Sequence, residues 1–180
     1  MEGGALTPKL FALPLGGSIW VDTRIAGHFT LEEAPDADEL VLVGTGTGIA
    51  PYRPMILDPR TRARYRRIIL MYTDRTQPEL GYVEEFEDLM RRDPNFVFLP
   101  SLTREPEGSS WTGLRGRIQH FLTPERYLEL TGEPLRPERC QVFLCGNPQM
   151  ILEVQAQLEQ HGFTKHRKKA PGQLHIEKYW

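Results

Sequence analysis

The sequence predicts an α/β protein with a doubly wound, five-stranded parallel sheet of strand order 3-2-1-4-5. From residue 39 onwards, short apolar runs alternate with amphipathic helical patterns, and a glycine-bearing turn follows both the first and the fourth run. Strands that alternate with helices form βαβ units, and their right-handed crossovers build a parallel sheet covered on both faces.

The predicted strands are nearly continuous apolar runs, which is typical of strands buried on both faces. They comprise residues 39–44, 67–72, 95–99, 141–146 and 173–180.

The intervening segments read as helices. Residues 80–92 place Val83 and Phe86 on one apolar stripe and end in two arginines, as the helix dipole favours. Residues 116–122 and 124–130 predict two short helices. Asn147-Pro148 predicts a helix start with asparagine as N-cap, and Gly162 stands where a C′ glycine ends that helix.

The first 35 residues have a different pattern. Leu10, Leu13, Ile19, Val21 and Phe29 are separated by glycines and prolines, as in short antiparallel strands. Some thirty residues cannot close a barrel, and open strand edges are a liability. We therefore expect residues 1–35 to be the C-terminal remnant of a β-barrel domain and residues 36–180 to form the α/β domain.

Composition argues against several functions. The net charge of −2 provides no overall field for nucleic acid or an anionic membrane. No apolar run approaches the roughly 20 residues of a membrane span, and we expect no signal peptide. Cys140 and Cys145 lie in one predicted strand without a His or Cys cluster, which disfavours zinc and favours a reducing, cytoplasmic setting.

The run GTGTGIAP, residues 44–51, follows the first strand directly. Its glycines allow close backbone approach to a ligand, and a helix start after it would offer N–H groups to a phosphate. The run is not G-x-G-x-x-G, because Ile49 replaces the third glycine, and it is not a G-x-x-x-x-G-K loop, because no lysine follows. By itself it fits a ligand cradle and a plain tight turn equally well.

The run CGNPQM, residues 145–150, follows the fourth strand. In the predicted order, the first and fourth strands are neighbours at the switch point where α/β sheets bind ligands. We therefore expect both glycine-bearing turns to face one crevice. Cys145 considered alone also fits a small buried hydrophobe.

Four arginines, Arg75, Arg104, Arg115 and Arg117, follow the second and third strands. Each one by itself is an ordinary surface arginine. As a group at the ligand edge of the sheet, they suit the 2′-phosphate of NADP. No acidic residue is an evident selector for the ribose hydroxyls of NAD.

Together these groups resemble the ferredoxin/flavodoxin–NADP reductase family of bacterial type, over the whole chain. The resemblance rests on GTGTGIAPYRP (44–54), DRTQPELGY (74–82), SLTRE (101–105), LRGR (114–117), CGNPQM (145–150) and TKHRKKAPGQLHIEKYW (164–180). It implies an enzyme that transfers a hydride between NADP(H) and FAD and passes single electrons to or from ferredoxin or flavodoxin.

The resemblance also implies roles for individual residues. Contacts to the pyrophosphate and the flavin fall on Gly44, Thr45, Gly46, Thr47, Gly48 and Pro51. Contacts to the 2′-phosphate fall on Arg75, Thr103, Arg104 and Arg117, and further cofactor contacts on Asp74, Gly146, Asn147, Pro148 and Met150. Cys145 matches a cysteine near the nicotinamide C4 atom, and Glu177 matches a carboxylate near the flavin.

Three predictions concern the ends of the chain and its basic loop. Ala5, Leu6 and Thr7 match a loop that contacts the flavin phosphates, and Tyr179 and Trp180 match terminal aromatics that pack on FAD. Lys165, Arg167, Lys168 and Lys169 form either a docking patch for an acidic electron carrier or a solvated charge run.

The family's first flavin motif, Arg-x-Tyr-Ser/Thr, has no match, so we expect most of the FAD-binding barrel to be missing. The chain is then a fragment, the product of a truncated gene model, or a protein that borrows a flavin domain from another chain. The alternative function is an NADP-binding module with little or no flavin and no catalysis. Relatives of the flavohaemoglobin or oxygenase-reductase type share the loops, but they do not usually end in two aromatics.

Overall fold

The computed structural model describes residues 5–24 and 27–178. Its centre is a parallel sheet of six strands, which are β1 (Glu39–Thr45), β2 (Arg67–Asp74), β3 (Phe96–Leu102), β4 (Leu114–Arg115), β5 (Cys140–Gly146) and β6 (Leu174–Lys178). The strand order is β4-β3-β2-β1-β5-β6. The five predicted strands and their order are confirmed. The edge strand β4 was missed because two residues carry no periodicity.

The described residues form six helices, which are α1 (Thr7–Phe11), α2 (Tyr52–Leu57), α3 (Pro59–Arg64), α4 (Val83–Arg92), α5 (Pro124–Thr131) and α6 (Pro148–Gln160). Gly46–Ile49, Gln77–Glu79 and Ile118–Phe121 form single 3₁₀ turns. The predicted start of α6 is confirmed, because Asn147 Oδ1 accepts the amide hydrogens of Gln149 at 2.8 Å and Met150 at 3.2 Å. Gly162 follows its end with φ +87°, as predicted.

Alternating strand residues build one core layer on each sheet face, as the two-residue period of a strand dictates. On one face, Val41 and Val43 pack in a layer that includes Val154 of α6. On the other face, Leu40 and Leu42 pack in a layer that includes Phe86 of α4. This double burial is the physical reason for the continuous apolar runs.

The described residues before Glu39 contain no strand, so the predicted short antiparallel strands are wrong. Leu10, Leu13, Ile19 and Val21 are exposed, and α1 is the one regular element among the described residues before Glu39. A strand needs a partner edge, and this segment pairs with no strand among the described residues. The assignment of residues 1–35 to a barrel remnant stays a prediction.

Residues 29–34 nevertheless attach to the α/β domain. The ring of Phe29 packs edge-on against Phe143 of β5, with ring centroids 5.2 Å apart. Arg64 donates to the carbonyl oxygen of Leu31 at 2.5 Å and to that of Ala34. No helix within the described ranges combines the length and apolar character needed to cross a bilayer.

Candidate functional site

The two glycine-bearing turns lock into each other at the carboxyl ends of β1 and β5. Thr45 Oγ1 accepts the amide hydrogen of Asn147 at 2.9 Å. A Cβ atom on Gly146, which has φ +129°, would lie 2.4 Å from Thr45 Oγ1. Only glycine allows this approach, so the predicted meeting of the two turns at one crevice is confirmed.

Tyr52 at the start of α2 contacts both strands just before this junction. Its hydroxyl lies 2.9 Å from the carbonyl oxygen of Val43 and 2.8 Å from that of Phe143, which bridges β1 and β5. Its ring packs on Gly44, where a Cβ atom would lie 2.9 Å from Tyr52 Cε2. The sequence interpretation missed this residue, although the aromatic directly after the glycine run was a usable signal.

A cleft of about 520 Å³ opens beside the junction, along the carboxyl edge of the sheet. The predicted cofactor residues that line it are Thr45, Gly46, Thr47, Asp74, Arg75, Thr103, Arg104, Arg117, Asn147 and Met150. Lining residues that the sequence interpretation missed are Thr73, Glu79, Ile118, Gln119, Gln149 and Glu153. The cleft therefore gathers residues from all four turns at the carboxyl ends of β1, β2, β3 and β5, together with the segment after β4.

Arg75, Arg104 and Arg117 give the cleft its positive charge. All three are exposed, and among the described residues none of them takes part in an ion pair. Arg115 differs, because it does not line the cleft and instead donates to Glu105 O at 2.8 Å and Ser109 Oγ at 3.0 Å. Three guanidinium groups are thus available to a ligand, whereas that of Arg115 stabilises the loop that contains Glu105 and Ser109.

Backbone hydrogen bonds beyond the strands place two of these arginines side by side. Thr103 N donates to Asp74 O at 3.0 Å, and Arg104 N donates to Arg75 O at 2.8 Å. Asp74 itself accepts from Arg75 N at 2.9 Å and from the Tyr72 hydroxyl at 3.1 Å. Burial raises the pKa of the Asp74 carboxyl above its usual value. Asp74 therefore fixes the turn that carries Arg75.

The cleft is also lined by a carboxylate that accepts hydrogen bonds from two amides. Gln149 Nε2 donates to Glu153 Oε1 at 2.8 Å, and Gln119 Nε2 donates to Glu153 Oε2. These hydrogen bonds, with a smaller effect from the charge of Arg117, lower the pKa of Glu153. The four-residue spacing of Gln149 and Glu153 on α6 was the one local signal for this group.

Several predicted residues support the turns or lie elsewhere. Gly44, Gly48, Pro51, Gly146 and Pro148 build the turns but do not line the cleft. Cys145 is fully buried in the core layer with Tyr52, and in the β5–β6 register it stands opposite the half-buried Glu177. Neither residue lines the cleft, and their roles near the nicotinamide and the flavin stay predictions.

The remaining predicted residues are outside the cleft as well. Ala5, Leu6 and Thr7 are exposed, and Tyr179 and Trp180 lie outside the described residues. The basic residues Lys165, Arg167, Lys168 and Lys169 are exposed on a loop closed by reciprocal hydrogen bonds between Arg167 and Ala170. Their role in docking an electron carrier stays a prediction.

Comparison with known proteins gives the family. The family model described as oxidoreductase NAD-binding domain matches residues 42–156. The flavodoxin/ferredoxin–NADP reductase of Escherichia coli (strain K12) is 32% identical over 98% of this chain and 71% of its own length. This chain belongs to the ferredoxin–NADP reductase family.

A solved structure and a further sequence relative are also similar to this chain. A ferredoxin NADP+ reductase from Neisseria gonorrhoeae, solved with bound FAD and NADP, aligns with a TM-score of 0.77 at 29% identity over 86% of this chain and 61% of that one. A component of the Na(+)-translocating NADH-quinone reductase from Klebsiella pneumoniae is 34% identical over 88% of this chain and 38% of its own length. The chain spans about two thirds of the length of the curated ferredoxin–NADP reductases that it matches.

Proposed function

We propose that this member of the ferredoxin–NADP reductase family binds NADP(H) in the cleft beside the junction of the two glycine turns. One observation carries the proposal: Arg75, Arg104 and Arg117 line that cleft without an ion-pair partner among the described residues. Guanidinium groups bind phosphate through paired, charge-assisted hydrogen bonds. Gly46 lines the same cleft, and a glycine lets a bound pyrophosphate lie close to the backbone.

The charges of the cleft favour NADP over NAD. Sequence similarity does not separate the two, because a relative named for NADH is about as similar as those named for NADP. The carboxylates that line the cleft are engaged inside the protein: Asp74 with its own turn, Glu79 with Thr76, and Glu153 with two glutamines. A ribose 2′-hydroxyl therefore meets no carboxylate without a partner, whereas a 2′-phosphate meets three cations.

We propose that the reaction is hydride exchange between NADP(H) and FAD, followed by single-electron exchange with ferredoxin or flavodoxin. FAD supplies the change from two-electron to one-electron chemistry. The described residues offer FAD part of a site at most, since Ala5, Leu6 and Thr7 are exposed and no strand surrounds them. A β-domain that completes the flavin site belongs to this proposal, as do the roles of Cys145 and Glu177.

The basic loop at Lys165, Arg167, Lys168 and Lys169 is the docking surface that we propose for the acidic carrier. All four side chains are exposed and make no ion pair with the described residues, so their charge is available to a partner. A cytoplasmic location is part of the same proposal, because ferredoxins and flavodoxins are the carriers it names.

The second candidate is an NADP-binding module without catalysis of its own. Its support is the N-terminal segment, where Leu6, Phe11 and Trp20 are exposed to 63%, 87% and 104% of their full area. A chain that encloses no flavin binds NADP in the same cleft but transfers no hydride.

Spectroscopy and binding on the purified chain separate these candidates. The enzyme, alone or together with the β-domain that completes its flavin site, is yellow, shows flavin absorbance, and reduces ferricyanide with NADPH. The module is colourless and is stabilised thermally by NADP+ more than by NAD+. Absence of stabilisation by either dinucleotide refutes both candidates.

A further inference from the structure

Glu153 controls how two glutamine side chains face the cleft. A carboxylate only accepts hydrogen bonds, so each glutamine must turn its NH2 group toward Glu153. Gln149 does so at 2.8 Å, and Gln119 does so on the other carboxylate oxygen. Both amide orientations are thereby determined, and the two amide oxygens point away from the carboxylate.

Those two oxygens are acceptors without a partner among the described residues. The hydrogen bonds of Gln119 and Gln149 use the amide nitrogens, and for Gln119 also the backbone carbonyl, which accepts from Gln157 at 3.2 Å. Both glutamines line the cleft. A wall with two fixed acceptors favours a ligand group that donates hydrogen bonds and disfavours one that presents a carbonyl oxygen.

The position of this wall identifies the part of the ligand it meets. This step rests on the proposed function, in which Arg117 binds the 2′-phosphate. The base of NADP is attached to the ribose that carries that phosphate, so it lies within one sugar ring of Arg117. Ile118 and Gln119 follow Arg117 directly in the chain, and both line the cleft.

We propose that Glu153 is a positioning residue that makes the cleft selective for an amino-bearing purine. It holds the Gln119 and Gln149 oxygens toward the exocyclic amino group of adenine. A hypoxanthine base carries a keto oxygen at that position. This oxygen accepts hydrogen bonds, so the glutamine oxygens repel it.

The test compares the binding of NADP+ and of nicotinamide hypoxanthine dinucleotide phosphate to the chain by titration calorimetry. This readout requires neither bound flavin nor turnover. For the wild-type chain, we expect the hypoxanthine analogue to bind roughly tenfold more weakly, as for the loss of one hydrogen bond to these amide oxygens. In Glu153→Gln, the new amide pairs with one glutamine through its oxygen and with the other through its nitrogen. One glutamine then turns its NH2 group to the cleft, and the two ligands bind within about twofold of each other.

The matched control is Glu159→Gln on the same helix. Glu159 Oε1 accepts from Gln155 Nε2 at 2.7 Å with the same four-residue spacing, but neither residue lines the cleft. This variant keeps the wild-type ratio. If circular dichroism shows that Glu153→Gln is unfolded, the exposed Gln149→Met tests the same wall and also lowers the ratio.

The outcomes are separable. Equal binding of the two ligands to the wild-type chain, or a ratio unchanged by Glu153→Gln, overturns the role of Glu153 and leaves NADP binding in place. Binding of neither ligand overturns the proposed function, and this inference with it.

Discussion

A Cβ atom on Gly48 would lie 2.3 Å from the carbonyl oxygen of Cys145 and 2.7 Å from its carbonyl carbon. The turn after β1 therefore presses directly on the last residues of β5. Neither contact partner is a flexible side-chain end, so a methyl group at this position must displace backbone.

Replacement of Gly48 by alanine is expected to push the two turns apart. We expect a loss of roughly 1–3 kcal/mol in the free energy of unfolding, as for overpacking of a close-packed site. The affinity for NADP+ should fall as well. Urea unfolding and calorimetry measure the two effects. Gly81→Ala is the control, because a Cβ atom at Gly81 meets nothing within 4 Å. A Gly48→Ala protein as stable as this control would show that the contact is not restrictive.

Replacement of Arg104 by alanine is expected to weaken NADP+ binding far more than NAD+ binding. A charge-assisted hydrogen bond contributes about 1.5–3 kcal/mol, which corresponds to about ten- to a hundredfold in affinity. Calorimetry with both dinucleotides measures the difference. Arg126→Ala removes an arginine paired with Glu129, outside the cleft, and should alter neither affinity. Equal losses for the two dinucleotides in Arg104→Ala would contradict a 2′-phosphate contact.

His175 is expected to make stability depend on pH. It stacks on Phe143 with ring centroids 4.3 Å apart, and burial, with smaller effects from His166 and Arg64, lowers its pKa from 6.5 to about 4. Between these values the unfolded chain binds the extra proton and the folded chain does not. The contribution of neutral His175 to the free energy of unfolding is therefore fully present above pH 6.5. It is lost as the pH falls toward 4, and the loss is at most about 3 kcal/mol.

Urea unfolding at pH 7 and pH 5 checks this expectation. The variant His175→Phe keeps the stacking and removes the titrating group, so its stability should fall less between the two pH values. The exposed His161→Gln should fall as much as the wild-type protein. An identical fall in His175→Phe and the wild-type protein would assign the pH effect to other groups.

The other end of the sheet contains a buried ion pair whose rupture should be costly. Glu39 is 1% exposed, and its Oε1 lies 3.5 Å from Arg67 Nη1, while Arg67 Nη2 donates to Thr131 O at 2.6 Å. Arg67→Met leaves the buried Glu39 carboxylate with only the more exposed Arg66 and Arg139 as cations, and we expect a loss of about 3 kcal/mol. The exposed pair of Arg60 with Asp58 provides the contrast, since Arg60→Met should cost less than about 1 kcal/mol. Similar losses in the two variants, measured by urea unfolding, would contradict this assignment.

The sheet was predictable because its signals are local. Residues 39–44 and 141–146 are apolar at nearly every position, which only strands covered on both faces require. The Asn147-Pro148 pair specifies a helix start within two residues. The strand order placed the two glycine turns together, and with them most of the residues that line the cleft.

The structure decided the features that depend on distant partners. Gln119 and Glu153 are 34 residues apart, and Tyr52 and Phe143 are 91 apart, so no periodicity could indicate these contacts. The N-terminal segment shows the converse. Its apolar residues, separated by glycines and prolines, were typical of strands, but a strand forms only when it pairs with another edge, and this segment pairs with no strand among the described residues. From residue 39 onwards, local sequence therefore determined the five longer strands and the start of α6. Tertiary packing decided which of their side chains meet in the cleft, because hydrogen bonds between distant residues exist only once the sheet has brought their backbones together.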